Sequence, residues 1–164
     1  MRILEAQPQQ LTTLGEITLL MTRWADYCQY PIACISEWLL PPIMLDQVVV
    51  FRTPLGVLSG YATWALISEE TERRLLGDPS VLLHFSEWNE GDRLWILDFL
   101  SLDGDIKRKG AQIAAALQGQ CTAKSLRRDE DGNVISVTSW ALTGRHGEQR
   151  LIAKRTRPTQ IWAS

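Results

Sequence analysis

At 164 residues, with 45% apolar and 22% charged side chains, the chain is long enough to bury one core, and its composition is that of an ordinary globular protein and excludes a disordered one. Its 17 basic and 19 acidic residues leave a net charge of −2, which excludes a general nucleic-acid or membrane-surface binder. Three cysteines, Cys28, Cys34 and Cys121, are odd in number and lack metal-ligand spacing, so they read as free thiols of a cytoplasmic protein.

Residues 1–10, with Gln7-Pro8-Gln9-Gln10, read as a loose leader without signal-peptide character, and no run approaches the roughly 18 apolar residues of a membrane span. From Leu11 to Tyr27 the positions Leu14, Ile17, Leu20, Met21 and Trp24 recur at helical spacing, with Thr12 or Thr13 as cap. Pro31 ends that helix, because the residue before a proline is pushed out of helical geometry. A short second helix is expected over 32–39, stopped by Pro41-Pro42. Gln47–Arg52 and Val57–Ala65, joined by Thr53-Pro54-Leu55-Gly56, read as a hairpin. Ser68 then caps a helix whose first turn holds Glu69, Glu70 and Glu72, acids that favour the positive end of the helix dipole. Gly77-Asp78-Pro79-Ser80 breaks it, and Val81–Glu87 reads as another short helix.

The next stretch, Trp88 to Asp105, organises the rest. Gly91 opens it with a turn, and Arg93–Leu100 is almost continuously apolar, the pattern of a central strand covered on both faces. Asp98 sits inside that run, where a carboxylate is costly unless it is paired or used. Asp103-Gly104-Asp105 then turns the chain into a basic, alanine-rich helix from Ile106 to Gln118, and a helix N-terminus beside a strand end suits a thioester-bearing or phosphate-bearing arm. Cys121–Arg127 and Val134–Leu142 read as strands joined by the turn Asp129-Glu130-Asp131-Gly132-Asn133, and Glu148–Arg157 as an edge strand. The order predicts one mixed α/β domain over residues 1–164.

The central stretch resembles the toxin-activating lysine acyltransferases, the haemolysin-activating (HlyC-like) branch of the GNAT-type fold. The resemblance rests on Trp88, Gly91-Asp92, Trp95-Ile-Leu-Asp98 and Gly104-Asp105, and upstream on Leu14-Gly15, Pro31, Leu40-Pro41 and Gly60-Tyr61-Ala62-Thr63-Trp64-Ala65 with Ser68-Glu69-Glu70. It covers roughly residues 11–145. It implies a GNAT-like mixed sheet flanked by helices and transfer of a fatty acyl group from an acyl carrier protein, as co-substrate rather than bound cofactor, to a lysine-like amine. A toxin or a ribosomally made precursor peptide is the implied acceptor, and a homodimer the implied assembly. A non-catalytic relative that only binds acyl carrier protein or a peptide is the competing class. One departure matters: four residues before Pro31 the family places an essential histidine, and this chain has Tyr27.

An amine with a pKa near 10.4 is nucleophilic in fewer than about one molecule in a thousand at neutral pH, so the site needs a proton acceptor. By the resemblance, Asp98 is the functional aspartate, holding an ammonium or orienting a base; its bland alternative is a structural pair with Arg93 or another donor. Tyr27 is a poor base and a candidate acid toward the leaving thiolate, or a half-buried aromatic at a helix end. Cys28 is a candidate acyl acceptor or a small core residue. Of the two histidines, His84 is a candidate stand-in for the missing imidazole or a satisfied, partly buried side chain, and His146 reads as loop; together they make no metal site. Lys107, Arg108, Lys109 and Gly110 open the basic helix and suit a phosphopantetheine phosphate or an acidic carrier protein. The seven tryptophans line an acyl channel or fill the core.

Overall fold

The structure is a computed structural model and describes residues 6–117, 119–120, 122–143 and 150–156. Helix α1, Pro8–Met21, is followed by a single 3-10 turn at Tyr27–Gln29, a π-helical turn at Ile35–Leu39, and α2, Leu40–Met44. Then come β1, Val48–Arg52; β2, Leu58–Ile67; α3, Glu69–Gly77; a 3-10 turn at Phe85–Trp88; and β3, Arg93–Ser101. Helix α4, Ile106–Ala116, leads to β4, Thr122–Arg128; β5, Val134–Thr143; and β6, Arg150–Thr156.

Most of the expected elements form, and the exceptions have local causes. Helix α1 starts at Pro8, inside the expected leader: Pro8 occupies the first helical turn, where its missing N–H costs nothing, and the N–H of Gln7 is taken by Gln10 Oε1 at 2.9 Å. It also ends at Met21 rather than Tyr27. Pro41 and Pro42 do not stop a helix; they lie in the first turn of α2, where a helix tolerates proline. Residues 81–84 are not helical, and only Phe85–Trp88 forms a turn.

The six strands form one sheet in chain order, antiparallel except between β3 and β4. Period-2 alternation divides its residues between two faces. One face, with Tyr61, Leu100, Ala65, Ile67 and Trp95, packs against α1, α2 and α3; the other, with Ala62, Trp64, Leu94 and Ile96, packs against α4 through Ile113 and Leu117. Burying aromatics such as Trp95 and Tyr61, both 0% exposed, stabilises the sheet by roughly 1.5–3 kcal/mol for each large side chain.

Two irregularities make room for a site. Between β2 and β3 the pairing steps from Thr63↔Asp98 to Trp64↔Ile96, so Leu97 is the extra residue of a bulge. Between β3 and β4 only Trp95↔Lys124 and Ile96↔Ser125 pair, although both strands run on beyond them. The strands therefore part at Ile96, and the sheet opens into a cleft bordered by α4.

Candidate active site

Asp98 leaves the bulge onto the face covered by α1. Its carboxylate is 8% exposed and takes two phenolic hydrogen bonds, Tyr27 donating to Oδ1 and Tyr61 to Oδ2. Tyr61 stands on β2 opposite Leu100, one step along the same face, and is fully buried. Tyr27 reaches in from the turn after α1 and remains partly open to solvent. Its ring meets Tyr30 edge-on at 5.9 Å, and Tyr30 meets Trp38 at 5.6 Å, so an aromatic row leads away from the carboxylate.

Burial pushes the Asp98 carboxyl above the ordinary carboxylate range, and the two phenols and a backbone N–H pull it part of the way back. Burial, and then the charge of Asp98, raise both phenols well above 10. Tyr27 and Tyr61 are therefore proton donors held in their neutral form, and Asp98 is a carboxylate of enhanced basicity. The expected acid role of Tyr27 toward a thiolate fits poorly, because its proton is committed to Asp98. Arg93, the alternative partner of Asp98, pairs with Glu69 at 2.8 Å and with Glu72 instead.

The cleft between β3 and β4 holds about 1110 Å³. Its walls come from Ile96–Phe99 of β3, from Ser125, Leu126 and Arg127 of β4, and from apolar side chains further along the sheet, including Trp140 and Leu151. Trp140 is fixed there by its indole N–H, which donates to Ser125 Oγ at 2.9 Å. Lys107, Arg108 and Gly110 of α4 complete the rim. Gly104, at φ +70, makes the left-handed turn that aims this helix, and Asp105 caps it, accepting from Arg108 N at 3.3 Å.

Lys109 is a correction among the donor residues. It is fully buried and donates to Ser101 Oγ at 2.7 Å and to Asp103, with the Phe51 ring 5.5 Å from its ammonium. That hydrogen bond holds the Asp103 carboxyl down at about 2. Lys109 is thus an internal tether of α4, whereas Lys107 and Arg108 border the cleft. Nor does His84 replace an imidazole: it is exposed, with Nδ1 against Ser86 Oγ at 3.0 Å, where it caps the Phe85–Trp88 turn. Cys28 is an exposed free thiol whose hydrogen bond goes to Ala25 O at 3.2 Å, not to the Asp98 cluster. His146 and Cys121 lie outside the described residues. Sequence reasoning missed Tyr61 as a partner of Asp98 and Arg127 as a cleft residue, whereas Trp140, one of the tryptophans offered for a channel, does line the cleft.

Comparison with known proteins places this chain in the acyltransferase class. Residues 6–141 match the RTX toxin acyltransferase (HlyC) family, and the chain belongs to it. It is 31% identical over 130 residues to an uncharacterised protein of Synechocystis sp., covering 76% of this chain and 85% of that one. It is 30% identical over 128 residues to the protein-lysine palmitoyltransferase CyaC of Bordetella bronchiseptica, 77% of this chain and 68% of that one. With the protein-lysine myristoyltransferase HlyC of Escherichia coli it shares 30% over 96 residues, 58% and 55% of the two chains. An acetyltransferase of the GNAT family from Listeria monocytogenes superposes with a TM-score of 0.46 at 13% identity over 92% of each chain. Among the described residues no helix is long and apolar enough to cross a membrane, and no cluster of side chains suits a metal ion.

Proposed function

We propose that this protein transfers a fatty acyl group from the phosphopantetheine thioester of an acyl carrier protein to a lysine or ornithine side-chain amine of a protein or peptide acceptor. The observation that carries this reading is the coincidence of three features at one cleft: the parting of β3 from β4, the cations of α4 at the rim, and the buried Asp98 on the wall. Lys107 and Arg108 suit the phosphate of the arm and the acidic surface of its carrier. The apolar wall with Trp140 and Leu151 suits a fatty chain, and the relatives named as palmitoyl- and myristoyltransferases use such chains. Asp98 accepts the proton that the incoming ammonium must lose, a contribution of about a hundred- to ten-thousandfold to rate. Cys28 and Cys34 are free thiols, in keeping with a cytoplasmic reaction.

The test is co-expression with a toxin or precursor peptide encoded beside this gene, followed by intact mass analysis of that partner. A mass increase equal to one fatty acyl group, abolished by Asp98→Asn, supports the reading and identifies the chain. No increase, with carrier-protein binding retained, would replace it with a binding protein.

A further inference from the structure

We propose that Tyr27 is the group that meets the acceptor amine, and that it relays the proton to Asp98 rather than acting as a base or a free acid. This rests on the acyl-transfer reading and deepens it. The argument is one of access. Asp98 is 8% exposed and both of its oxygens are covered, one by each phenol. With so little of the carboxylate open, an ammonium approaching from the Tyr27 side meets that phenol first, and displacing either phenol would leave a buried group without its partner, which is costly. Tyr61 has no exposed surface, so it is the fixed member. Tyr27 has solvent on one side, stands beside the row Tyr30 and Trp38, and is, of the two phenols bonded to Asp98, the one an incoming side chain can touch.

No other described group takes this part. The titratable groups facing Asp98 are Tyr27 from the turn after α1, Tyr61 from β2, and, further out, Tyr30. Among the described residues neither an imidazole nor a cation bonds to it. The phenols stay protonated through the working range, which suits a relay and rules out a phenolate base.

The step balances as follows. One proton of the ε-ammonium passes to Tyr27 Oη while the proton of Tyr27 passes to Asp98 Oδ1, which leaves a neutral amine, a re-formed phenol and a protonated Asp98. The amine nitrogen attacks the thioester carbonyl; the C–N bond forms and the C–S bond breaks. The departing thiolate takes the second N–H proton, and Asp98 returns its proton to solvent through Tyr27. Tyr61 touches no substrate and acts as a positioning residue.

The experiment follows acyl transfer from palmitoyl-acyl carrier protein to N-acetyl-lysine methylamide by the full chain, its Tyr27→Phe and Tyr27→His variants, across pH, with folding checked by circular dichroism. The relay predicts a fall of about a hundredfold or more in kcat for Tyr27→Phe with little change in donor KM. It also predicts recovery in Tyr27→His with a new acidic limb near pH 6.5 that the wild type lacks. Turnover in Tyr27→Phe within threefold of wild type overturns the relay while acyl transfer stands. An inert wild type with an active Tyr27→His shows that the phenol cannot carry the proton, and overturns the relay but not the site. Inertness of all three, with the co-expressed acceptor also unmodified, removes the acyl-transfer reading and the relay with it.

Discussion

Trp95 and Lys124 are backbone partners across the parallel seam of the sheet, and both reach the same carboxylate: Trp95 Nε1 and Lys124 Nζ each donate to Glu72 Oε1 at 2.8 Å. The Lys124 ammonium also lies 5.6 Å from the centre of the Trp95 ring, and Arg93 closes the group from the other side of Glu72. Burial alone would raise Glu72, but these donors hold it below the ordinary range. Helix α3 thus clamps β3 to β4 at the first of their two paired positions, one step before they part. The clamp fixes where the cleft begins.

Glu72→Gln is expected to cost about 2 kcal/mol, because the amide cannot satisfy three donors and leaves at least one unpaired near a buried indole. Thermal or denaturant unfolding measures that loss. The loss should shrink at low pH, since a carboxyl held below its ordinary value gives stability that is present above that value and lost as pH falls through the lowered one. If the clamp sets the cleft, donor KM should rise as well; unchanged KM in a destabilised variant would confine Glu72 to stability.

Asp98→Asn is expected to nearly abolish transfer while changing how stability depends on pH. The folded carboxyl titrates above its ordinary 3.8. Below that value both states are protonated and the group contributes nothing adverse. As pH rises from about 4 through the raised value, the unfolded chain ionises first, so the wild type loses stability across that window. The Asn variant should lack this loss, and parallel stability curves for the two proteins would show that Asp98 is not held as described.

Among the cations of α4, position separates function from structure. Neutralising Lys107 or Arg108 should raise donor KM several-fold, with the difference narrowing in high salt, as for charges at a solvated rim. Lys109→Met should instead lower the melting temperature, because it strips the buried partner from Asp103 and Ser101. A KM change from Lys109→Met equal to that of Lys107 would place all three at the rim.

The fold was legible where local chemistry decides it. Ser68 caps α3, accepting from Thr71 N at 3.2 Å, the turn before β5 is tied by Asp129, and the apolar and β-branched runs became strands. Asp98 stood out as a carboxylate in an apolar strand. Tyr27 stood out only through the resemblance, and the pairing of either phenol with Asp98 did not, because they lie 71 and 37 residues away and depend on one extra residue in β3. Counted by simple alternation, Asp98 falls on the face opposite Trp95. The bulge at Leu97 restores it to the same face, beneath α1 and beside Tyr61. Lys109 misled for a related reason: a basic run at a helix start reads as a rim, but the third residue of that run faces inward, where Asp103 is available.

Tyr61→Phe separates holding Asp98 from merely filling space. The substitution keeps the ring in its fully buried slot and removes one of the two donors, so stability should fall by about 1–3 kcal/mol, the cost of leaving a buried acceptor unmet. A purely structural role ends there, with kcat and its pH dependence unchanged in the folded protein. As a positioning residue, Tyr61 has a second effect: a donor to the charged carboxylate lowers its pKa, so losing that donor raises Asp98 further. If Asp98 receives the proton as proposed, it must be ionised to do so, and the acidic limb of the kcat profile should move to higher pH, with turnover falling about tenfold near the old limb. The limb should move in the same direction in a Tyr27→His, Tyr61→Phe double variant if the imidazole also leans on Asp98. A limb that stays in place while stability falls would assign Tyr61 to packing and leave Tyr27 as the one phenol that matters to the chemistry.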